Sequence, residues 1–400
     1  MGDIDQFFQD SHYNIIRVLL SVSGLWPFHS RIRRYGIYLT MLLVLGSGCV
    51  FETLGVIEAS QDSSELIDAV PMYFVCIVSI IKTFCAIYTL PQIKILLIKM
   101  QEYCISPISD EERKIQNSHA QYGRKLGYAY AGFVLGHSIV YLIATFLVRL
   151  FYGQPSGTDG LSKRLPNSQI PHHVNYMIDH NKYYYPIFLH AAICDASYTF
   201  LITTFDVLYI TSVEYCCGLF ATLRYRLEIA FDKNNDFGND KTAMTKDTCY
   251  SNIVYSIRRH TEAIQFVAIL ESVYSISLFI QLGAIMISIS FLGYQVINYT
   301  ENANRLIKPV LFLNTVFFNA FFENWQGQKV IDSSERVFES VYNTEWYSMP
   351  IAARKLLLIM IMRSEKPSII KMGKMVNLSY VTFNAVLRTS SSYFMLLRSL

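Results

Sequence analysis

Long apolar runs separated by polar connections dominate the pattern of this chain. A membrane-spanning helix needs about 20 mostly apolar residues, and six runs meet that length clearly. A seventh run near the C-terminus has a similar length but is more polar. The pattern therefore predicts an all-α membrane protein with seven transmembrane helices. The predicted spans cover residues 36–55, 70–90, 126–150, 186–213, 264–296, 306–325 and 376–397.

The amino-acid composition fits a chain that lies largely in lipid. Hydrophobic residues make up 52% of the 400 positions and charged residues 16%, whereas a soluble domain carries about 25% charged residues. The formal net charge of +3 is small, and no Lys and Arg cluster predicts nucleic-acid binding. The first residues are acidic where a cleavable signal peptide is basic, so we expect the first spans to direct insertion.

Lys and Arg are distributed unevenly between the connections. Twenty-five of the 34 basic residues fall in the N-terminal segment and in the connections after spans two, four and six. The connection after span one has none, and the one after span three has only Lys163, Arg164 and Lys182. Because cytoplasmic connections are the basic ones, we predict a cytoplasmic N-terminus and an extracellular C-terminus. This orientation is the reverse of a G-protein-coupled receptor.

Several ionisable residues lie within the predicted spans, where charge is costly and usually functional. Lys82 is close enough to the middle of span two to need a partner or a water-filled cavity. Asp195 and Asp206 fall in span four, and Glu52 falls in span one. These acids either serve a functional site or lie near enough to a helix end to meet water.

Sequence signatures of an enzyme or a metal site are missing. The chain lacks a GxxxxGK phosphate loop, an HExxH pair and a GxSxG turn. The connection after span three, residues 151–185, is the second outer connection. Four histidines lie in or next to it: His172, His173, His180 and His190. Their irregular spacing is more typical of loop residues than of metal ligands. We therefore predict no catalytic residue, no metal and no cofactor. A membrane enzyme using His190 or Asp195 in a buried site remains an alternative.

The polar residues of the last span share one face. At 100° per residue they lie within about 60° of Arg388, interrupted by Val381 and Met395. In lipid such a face must meet protein or water. The span is either a buried helix that bonds to its neighbours or a water-lined pore helix, several copies of which surround one axis. The face comprises Asn377, Asn384, Arg388, Ser391, Ser392 and Ser399.

The C-terminal part of the sequence resembles the insect odorant receptors. Connection lengths and the inverted topology agree with that family along essentially all 400 residues. The chain departs from the TY…QF ending typical of the related gustatory receptors, and its second intracellular connection, 215–265, is too short for the family's co-receptor. The resemblance rests on SYFMLLR at 392–398, FENW at 322–325, Gly327-Gln328, Ser333-Ser334, Val341-Tyr342 and Trp346.

The resemblance implies an odorant-gated, non-selective cation channel in the plasma membrane of a sensory neuron. In such channels an odorant-binding subunit assembles with the odorant receptor co-receptor into a heterotetramer. The implied partners are this co-receptor, a small volatile odorant, membrane lipid and permeant cations. Residues 1–325 would form the odorant-binding bundle, 326–375 a cytoplasmic anchor with Tyr342 and Trp346 in its core, and 376–400 the pore-lining helix. The alternative is a seven-transmembrane receptor that signals through G proteins.

The resemblance also implies functional residues by position. The hydrophobic gate falls on Leu396, with Met395 as the alternative because it lies nearer the centre of the polar face. Ser392 belongs to the pore, and Ser399 and Leu400 lie at its outer mouth. The family's odorant site lies between spans two, three, four and six. The corresponding positions here are Tyr73, Phe74, Ile77, Ser138, Tyr141, Thr145, Ile193, Cys194, Ser197, Leu306 and Val310.

Overall fold

The computed structural model describes residues 2–105, 109–152, 170–179, 182–230, 246–301, 303–344 and 346–399. Over these residues the chain is almost entirely helical, which confirms the predicted all-α fold. A 3₁₀ turn covers Trp346–Ser348, and the two strands form one short hairpin. The elements in chain order are α1 (Gly2–Asp10), α2 (Asn14–Val22), α3 (Arg31–Ala59), α4 (Ser63–Tyr88), α5 (Leu90–Ile105), α6 (Asp110–Tyr152), α7 (Tyr184–Ala230), α8 (Lys246–Asn298), α9 (Ala303–Tyr342), α10 (Ile351–Ser364), β1 (Lys371–Met372), β2 (Val376–Asn377) and α11 (Tyr380–Ser399).

Six helices of the described chain are long and apolar enough to cross a membrane. They are α3, α4, α6, α7, α8 and α9, and they contain nearly all of the first six predicted spans. The seventh span corresponds to α11, whose most apolar stretch is less apolar than those of the other six. The order of the predicted spans along the chain is therefore confirmed.

The seventh helix begins later than the sequence predicts. Residues 376–379 do not belong to it, because β2 pairs antiparallel with β1 and extends the chain at this point. α11 has 20 residues, which span about 30 Å at 1.5 Å per residue. That length still matches the thickness of the hydrocarbon core.

Several connections predicted as loops are extensions of the membrane helices. α6 has 43 residues, α7 47, α8 53 and α9 40, whereas about 20 residues cross the hydrocarbon core. Residues of the extensions pack with α1, α2, α5 and α10 in one hydrophobic core that continues into the membrane helices. Hydropathy predicts only the apolar part of each helix, because an extension in water keeps a polar outer face.

A capping box fixes the start of α6 and ties it to α7. The Ser109 Oγ accepts from the Glu112 backbone N at 3.3 Å, and the Glu112 Oε2 accepts from the Ser109 backbone N at 3.0 Å. The same carboxylate accepts two hydrogen bonds from Arg226 of α7, at 2.5 and 2.8 Å. Bidentate pairs of this kind are among the strongest polar contacts, so the extension of α6 is held at its first turn.

The chain before α11 crosses α9 closely at Gly327. A Cβ added at Gly327 would lie 2.5 Å from the backbone oxygen of Leu378, so a larger residue would push the two segments apart. The neighbouring Gln328 Oε1 accepts from the backbone N of Tyr380 at 3.4 Å. Gly327 and Gln328 of α9 therefore position the start of α11. α9 passes through residue 325 without a break, and the domain division there stays a prediction.

The two aromatic residues expected in the core of the 326–375 segment differ in burial. Trp346 is partly buried and packs against the main core. Tyr342 is 60% exposed and stacks on Phe338. It is not a core residue of the single chain, because the inward position at this turn belongs to Val341, which is fully buried. The role of both aromatic residues in anchoring subunits stays a prediction.

Lys82 forms a buried ion pair within the membrane-spanning part of the bundle, as predicted for a charge in the middle of a span. Its Nζ lies 2.5 Å from Asp206 Oδ1 and 3.8 Å from Glu323 Oε1, and all three side chains are almost fully buried. The Tyr130 hydroxyl donates to Asp206 Oδ2 at 2.7 Å, and Asn319 Nδ2 donates to the Tyr130 oxygen at 2.8 Å. This network joins α4, α6, α7 and α9, and it assigns Asp206 a structural role.

Candidate ligand cavity and pore face

An inner cavity of about 140 Å³ lies between α4, α6, α7, α8 and α9. Nearly all of its lining residues lie in the half of each helix that faces the predicted extracellular side. α7 turns Asp195, Thr199 and Ile202 toward the cavity at the i, i+4, i+7 spacing of one helix face. The walls are mainly apolar, which suits a small ligand held by burial of nonpolar surface.

The residues implied by the resemblance divide into two groups. Phe74, Ser138 and Tyr141 line the inner cavity. The others lie outside its lining, and helix rotation accounts for this on α7. Ile193 is 48% exposed, and Ser197 is half-buried with its Oγ donating to the Ile193 backbone oxygen at 2.7 Å. The residues outside the lining are Tyr73, Ile77, Thr145, Ile193, Cys194, Ser197, Leu306 and Val310.

The outlying residues have other contacts. The Cys194 Sγ donates to the backbone oxygen of Val44 on α3 at 3.6 Å. Tyr73 also meets α3, where Thr53 Oγ1 lies 3.3 Å from its hydroxyl. Thr145 is buried and donates to a backbone oxygen of its own helix at 2.9 Å. Val310 is 44% exposed. Ligand contact by these positions stays a prediction.

Two hydrogen-bonded pairs bring polar groups of different helices together at the inner cavity. The Ser138 Oγ of α6 donates to Asp195 Oδ2 of α7 at 2.9 Å. The Gln281 Nε2 of α8 donates to Asn319 Oδ1 of α9 at 2.8 Å. Asn319 also belongs to the Lys82 network, so the cavity adjoins the buried charges. Sequence reasoning missed the two amides but singled out Asp195, because an acid within a span is a functional signal.

A second, more polar cavity of about 110 Å³ adjoins the first, and we call it the vestibule. Met72, Tyr141 and Phe312 line both cavities, so these three side chains separate the apolar space from the polar one. The Tyr141 hydroxyl donates to the Pro171 backbone oxygen of the second outer connection. The ionisable residues of the vestibule are Glu65, Asp68, His172, His173, Arg305 and Lys308.

Residues 170–179 of the second outer connection pack over the helix ends. The Asn175 backbone N donates to Phe51 of α3 at 3.0 Å, and the Tyr176 ring stacks on Phe51 with centroids 4.1 Å apart. The His172 Nε2 lies 3.4 Å from Glu52 Oε1. Burial lowers the pKa of His172 to about 3, so this ring is neutral at physiological pH. Glu52 is thus covered by the connection rather than open to water.

The other histidines of the predicted cluster do not converge on one point. Burial lowers the pKa of His173 to about 4. The His190 Nδ1 lies 2.6 Å from the Tyr176 hydroxyl, and its Nε2 lies 3.1 Å from Ser47 Oγ. His180 lies outside the described residues. Within the described part of the chain, no group of three His, Cys, Asp or Glu side chains is arranged to hold a metal ion.

The polar face of α11 points away from the rest of the chain. Val386 and Ser390, on the opposite face, are buried. The Ser390 Oγ donates to the Met286 backbone oxygen of α8 at 3.1 Å. The Ser290 Oγ of α8 donates to the Ser390 backbone oxygen at 3.0 Å. All helical members of the polar face are exposed. They are Asn384, Arg388, Ser391, Ser392 and Ser399.

The exposed face does not bond to neighbouring helices among the described residues. Ser391 and Ser392 donate to backbone oxygens of their own helix, at 2.8 and 3.1 Å. Asn377, predicted as part of the face, lies in β2 instead. Met395 and Leu396 are 61% and 57% exposed, and Leu400 lies outside the described residues. Hydrogen bonding to neighbouring helices of the same chain therefore does not explain the polar face, among the residues described.

Comparisons with known proteins agree with this architecture. A profile of the 7tm odorant receptor family matches residues 62–391. Odorant receptor 67c of Drosophila melanogaster is 26% identical over 194 residues, which cover 48% of this chain and 45% of that receptor. Odorant receptor Or2 of Anopheles gambiae is 24% identical over 160 residues, 39% of this chain and 41% of that receptor. The chain thus matches less than half the length of these relatives.

Solved structures extend the likeness to nearly the whole chain. The insect olfactory receptor OR5 from Machilis hrabei in complex with eugenol has a TM-score of 0.73 at 13% identity, over 96% of this chain and 97% of that chain. A second structure of that receptor has a TM-score of 0.70 at 15% identity, over 96% of both chains. At this identity the likeness shows the fold, which is that of a seven-helix membrane receptor. Because the family profile covers most of the chain, this protein belongs to the insect odorant receptor family, whose members are multi-pass membrane receptors and not enzymes.

Proposed function

We propose that the chain is the odorant-binding subunit of a ligand-gated, non-selective cation channel in the plasma membrane of a sensory neuron. In this proposal it assembles with co-receptor subunits into a heterotetramer. Its N-terminus and residues 326–375 lie in the cytoplasm, and its C-terminus lies outside. A small volatile ligand occupies the inner cavity, and α11 supplies one side of a pore that the subunits share.

One observation supports this proposal most: α8 meets the cavity and the last helix with opposite faces. Ala284, Ile285 and Ser288 line the inner cavity. Met286, on the other side, accepts the hydrogen bond from Ser390 of α11. At 100° per residue the two sets lie on opposite sides of one helix. A ligand that displaces α8 would therefore move α11 without any intermediate element.

The exposed face of α11 has the composition of a gated pore wall. Its Asn, Arg and Ser side chains cannot face lipid without cost, so in the proposed tetramer they meet water. Met395 lies about 20° from the Arg388 direction and Leu396 about 80° from it. A ring of either residue would close the pore by expelling water and reopen it when the helices separate. The two positions remain alternatives for the gate.

The comparisons support the same function and disfavour coupling to G proteins. A receptor of the same fold is described in complex with eugenol, which is a small organic molecule. Membership of the odorant receptor family favours an odorant over other small ligands. The G-protein alternative needs an extracellular N-terminus, whereas the basic residues favour a cytoplasmic one.

Co-expression with an insect co-receptor in oocytes tests the proposal. Odorants should evoke an inward cation current that persists in excised patches without nucleotides, and a tag at residue 1 should be accessible only after permeabilisation. No current from any odorant at verified surface expression, or a tag reachable from outside, would contradict it.

The coupling through α8 can be tested separately. Ser290→Val removes one of the two hydrogen bonds between α8 and α11, at a fully buried contact. It should lower the current while odorants still stabilise the purified complex. Ser272→Val, exposed on the same helix, is the matched control and should keep both signals. An undiminished current in Ser290→Val would show that this contact does not transmit gating.

A further inference from the structure

The inner cavity contains a carboxyl group whose hydrogen bonding is largely unfilled. Asp195 lines the cavity and is only 4% exposed. Among the described residues its carboxyl accepts one side-chain hydrogen bond, from Ser138 at 2.9 Å. A carboxylate has about four acceptor sites, and burying a polar group without hydrogen bonds is costly. This cost is offset if a bound molecule supplies a donor.

A second unfilled acceptor comes from another helix. Gln281 of α8 lines the same cavity and is 5% exposed. Its Nε2 donates to Asn319, but its Oε1 is buried without a hydrogen-bond partner among the described residues. A buried acceptor of this kind normally has a partner. The Gln281 amide therefore adds a second unfilled acceptor beside this small apolar space, and a ligand reaches it only if the side chain turns.

Three hydroxyl donors around the cavity are committed within the protein. The Ser138 hydroxyl donates to Asp195, the Tyr141 hydroxyl to the Pro171 backbone, and the Thr315 hydroxyl to the Leu311 backbone at 3.1 Å. The hydroxyls of Thr199 and Ser288 and the His137 ring can each donate and accept, so they do not discriminate. A ligand that only accepts would leave the acceptors unfilled, whereas a ligand that donates would fill one of them.

We infer that the ligand of the inner cavity is a small alcohol or phenol whose hydroxyl donates to Asp195, with Gln281 as the second acceptor. The inference rests on the proposed function in taking this cavity as the odorant site. The size follows from the volume: about 140 Å³ is close to the roughly 150 Å³ of an engineered cavity that binds benzene. One ring with one or two further heavy atoms fits. A hydroxyl is favoured over an ammonium, which would lose its hydration in an apolar space.

Pairs of probes that exchange a hydroxyl for a methyl group test the inference. The pairs are benzyl alcohol and ethylbenzene, 4-methylphenol and 1,4-dimethylbenzene, and 1-hexanol and heptane. Each compound is measured by half-maximal current in the co-expressed channel and by thermal stabilisation of the purified complex. Because a hydrogen bond to a charged group contributes about 1.5–3 kcal/mol, each hydroxyl compound should act at a concentration at least about tenfold lower than its partner.

Variants show whether the named acceptors carry this preference. Asp195→Leu should reduce it to less than about threefold while ethylbenzene and heptane keep or gain potency, which also shows that the variant folds. Gln281→Leu should reduce it in the same direction and serves if Asp195→Leu does not reach the surface. The matched control is Thr204→Val on α7, where a buried hydroxyl that donates to its own helix is removed away from the cavity.

The outcomes separate the ligand class from the channel function. The inference is overturned if methyl compounds equal the hydroxyl compounds, if amines alone are active, or if the preference survives in both Leu variants. Current from the methyl compounds alone would leave the channel proposal standing. Stabilisation by the hydroxyl compounds without current from any probe would sustain the ligand class and contradict the channel.

Discussion

Lys82→Met should destabilise the protein because it leaves two acids buried without their cation. The substitution removes the ammonium that lies 2.5 Å from Asp206 and 3.8 Å from Glu323. Breaking a buried ion pair from one side costs about 3–5 kcal/mol. With an unfolding entropy of about 2.1 cal/mol/K per residue over 400 residues, this loss lowers the unfolding midpoint by roughly 5 °C.

Thermal unfolding of the solubilised complex, followed by size-exclusion chromatography of a fluorescent fusion, measures this shift. Lys355→Met, exposed on α10, is the matched control and should not change the midpoint. The double variant Lys82→Met/Asp206→Asn should recover much of the loss, because an uncharged amide still accepts from the Tyr130 hydroxyl. An unchanged midpoint in Lys82→Met, or a double variant as unstable as the sum of its parts, would refute the reasoning.

Three further predictions concern Gly327 of α9, His172 of the connection between α6 and α7, and the two alternative gate residues of α11. Gly327→Ala should cost about 1–3 kcal/mol through overpacking and reduce current, whereas Gly132→Ala, where an added Cβ meets nothing within 4 Å, should do neither; equal unfolding midpoints would contradict this. The folded pKa of His172, about 3, lies below its unfolded value of about 6.5, so stability is full above pH 6.5 and falls as the pH drops toward 3. Unfolding midpoints at pH 7 and 5 should differ less in His172→Asn than in the natural protein. Met395→Ala and Leu396→Ala should raise basal current unequally, with the larger rise at the gate; no rise in either would remove both positions from the gate.

Span order and the needs of single charges follow from the sequence, because hydrocarbon thickness and charge burial act on each helix separately. Lys82 illustrates this: its place in an apolar run predicts a partner, and Asp206 is that partner. The identity of the partner could not be predicted, since it depends on which helices meet. The full lengths of α6 to α9 could not be predicted for another reason. Outside lipid a helix is stabilised by packing against other elements, which hydropathy does not report.

The cavity shows where sequence reasoning reaches its limit. Family position selects four of the five helices around the cavity and misses α8. Within α7 a shift of two residues, about 200°, decides whether Ile193 or Asp195 faces the cavity. α7 places Asp195 inward and leaves Ile193 exposed. A helix buried on several sides carries little amphipathic signal to fix its rotation, so only the packed structure makes this choice. The polar face of α11 is predicted well by contrast, because one of its sides lacks a partner within the chain.

The unpartnered face of α11 links membrane residence to assembly. A chain inserted alone would present Arg388 to acyl chains, at a cost of about 2.5–3.5 kcal/mol near the bilayer centre, with the serines beside it adding to that cost. In the proposed heterotetramer, subunits around a shared water-filled axis would remove this cost for every member. We therefore expect the amount of this receptor at the cell surface to follow the supply of its partner subunits rather than its own rate of synthesis.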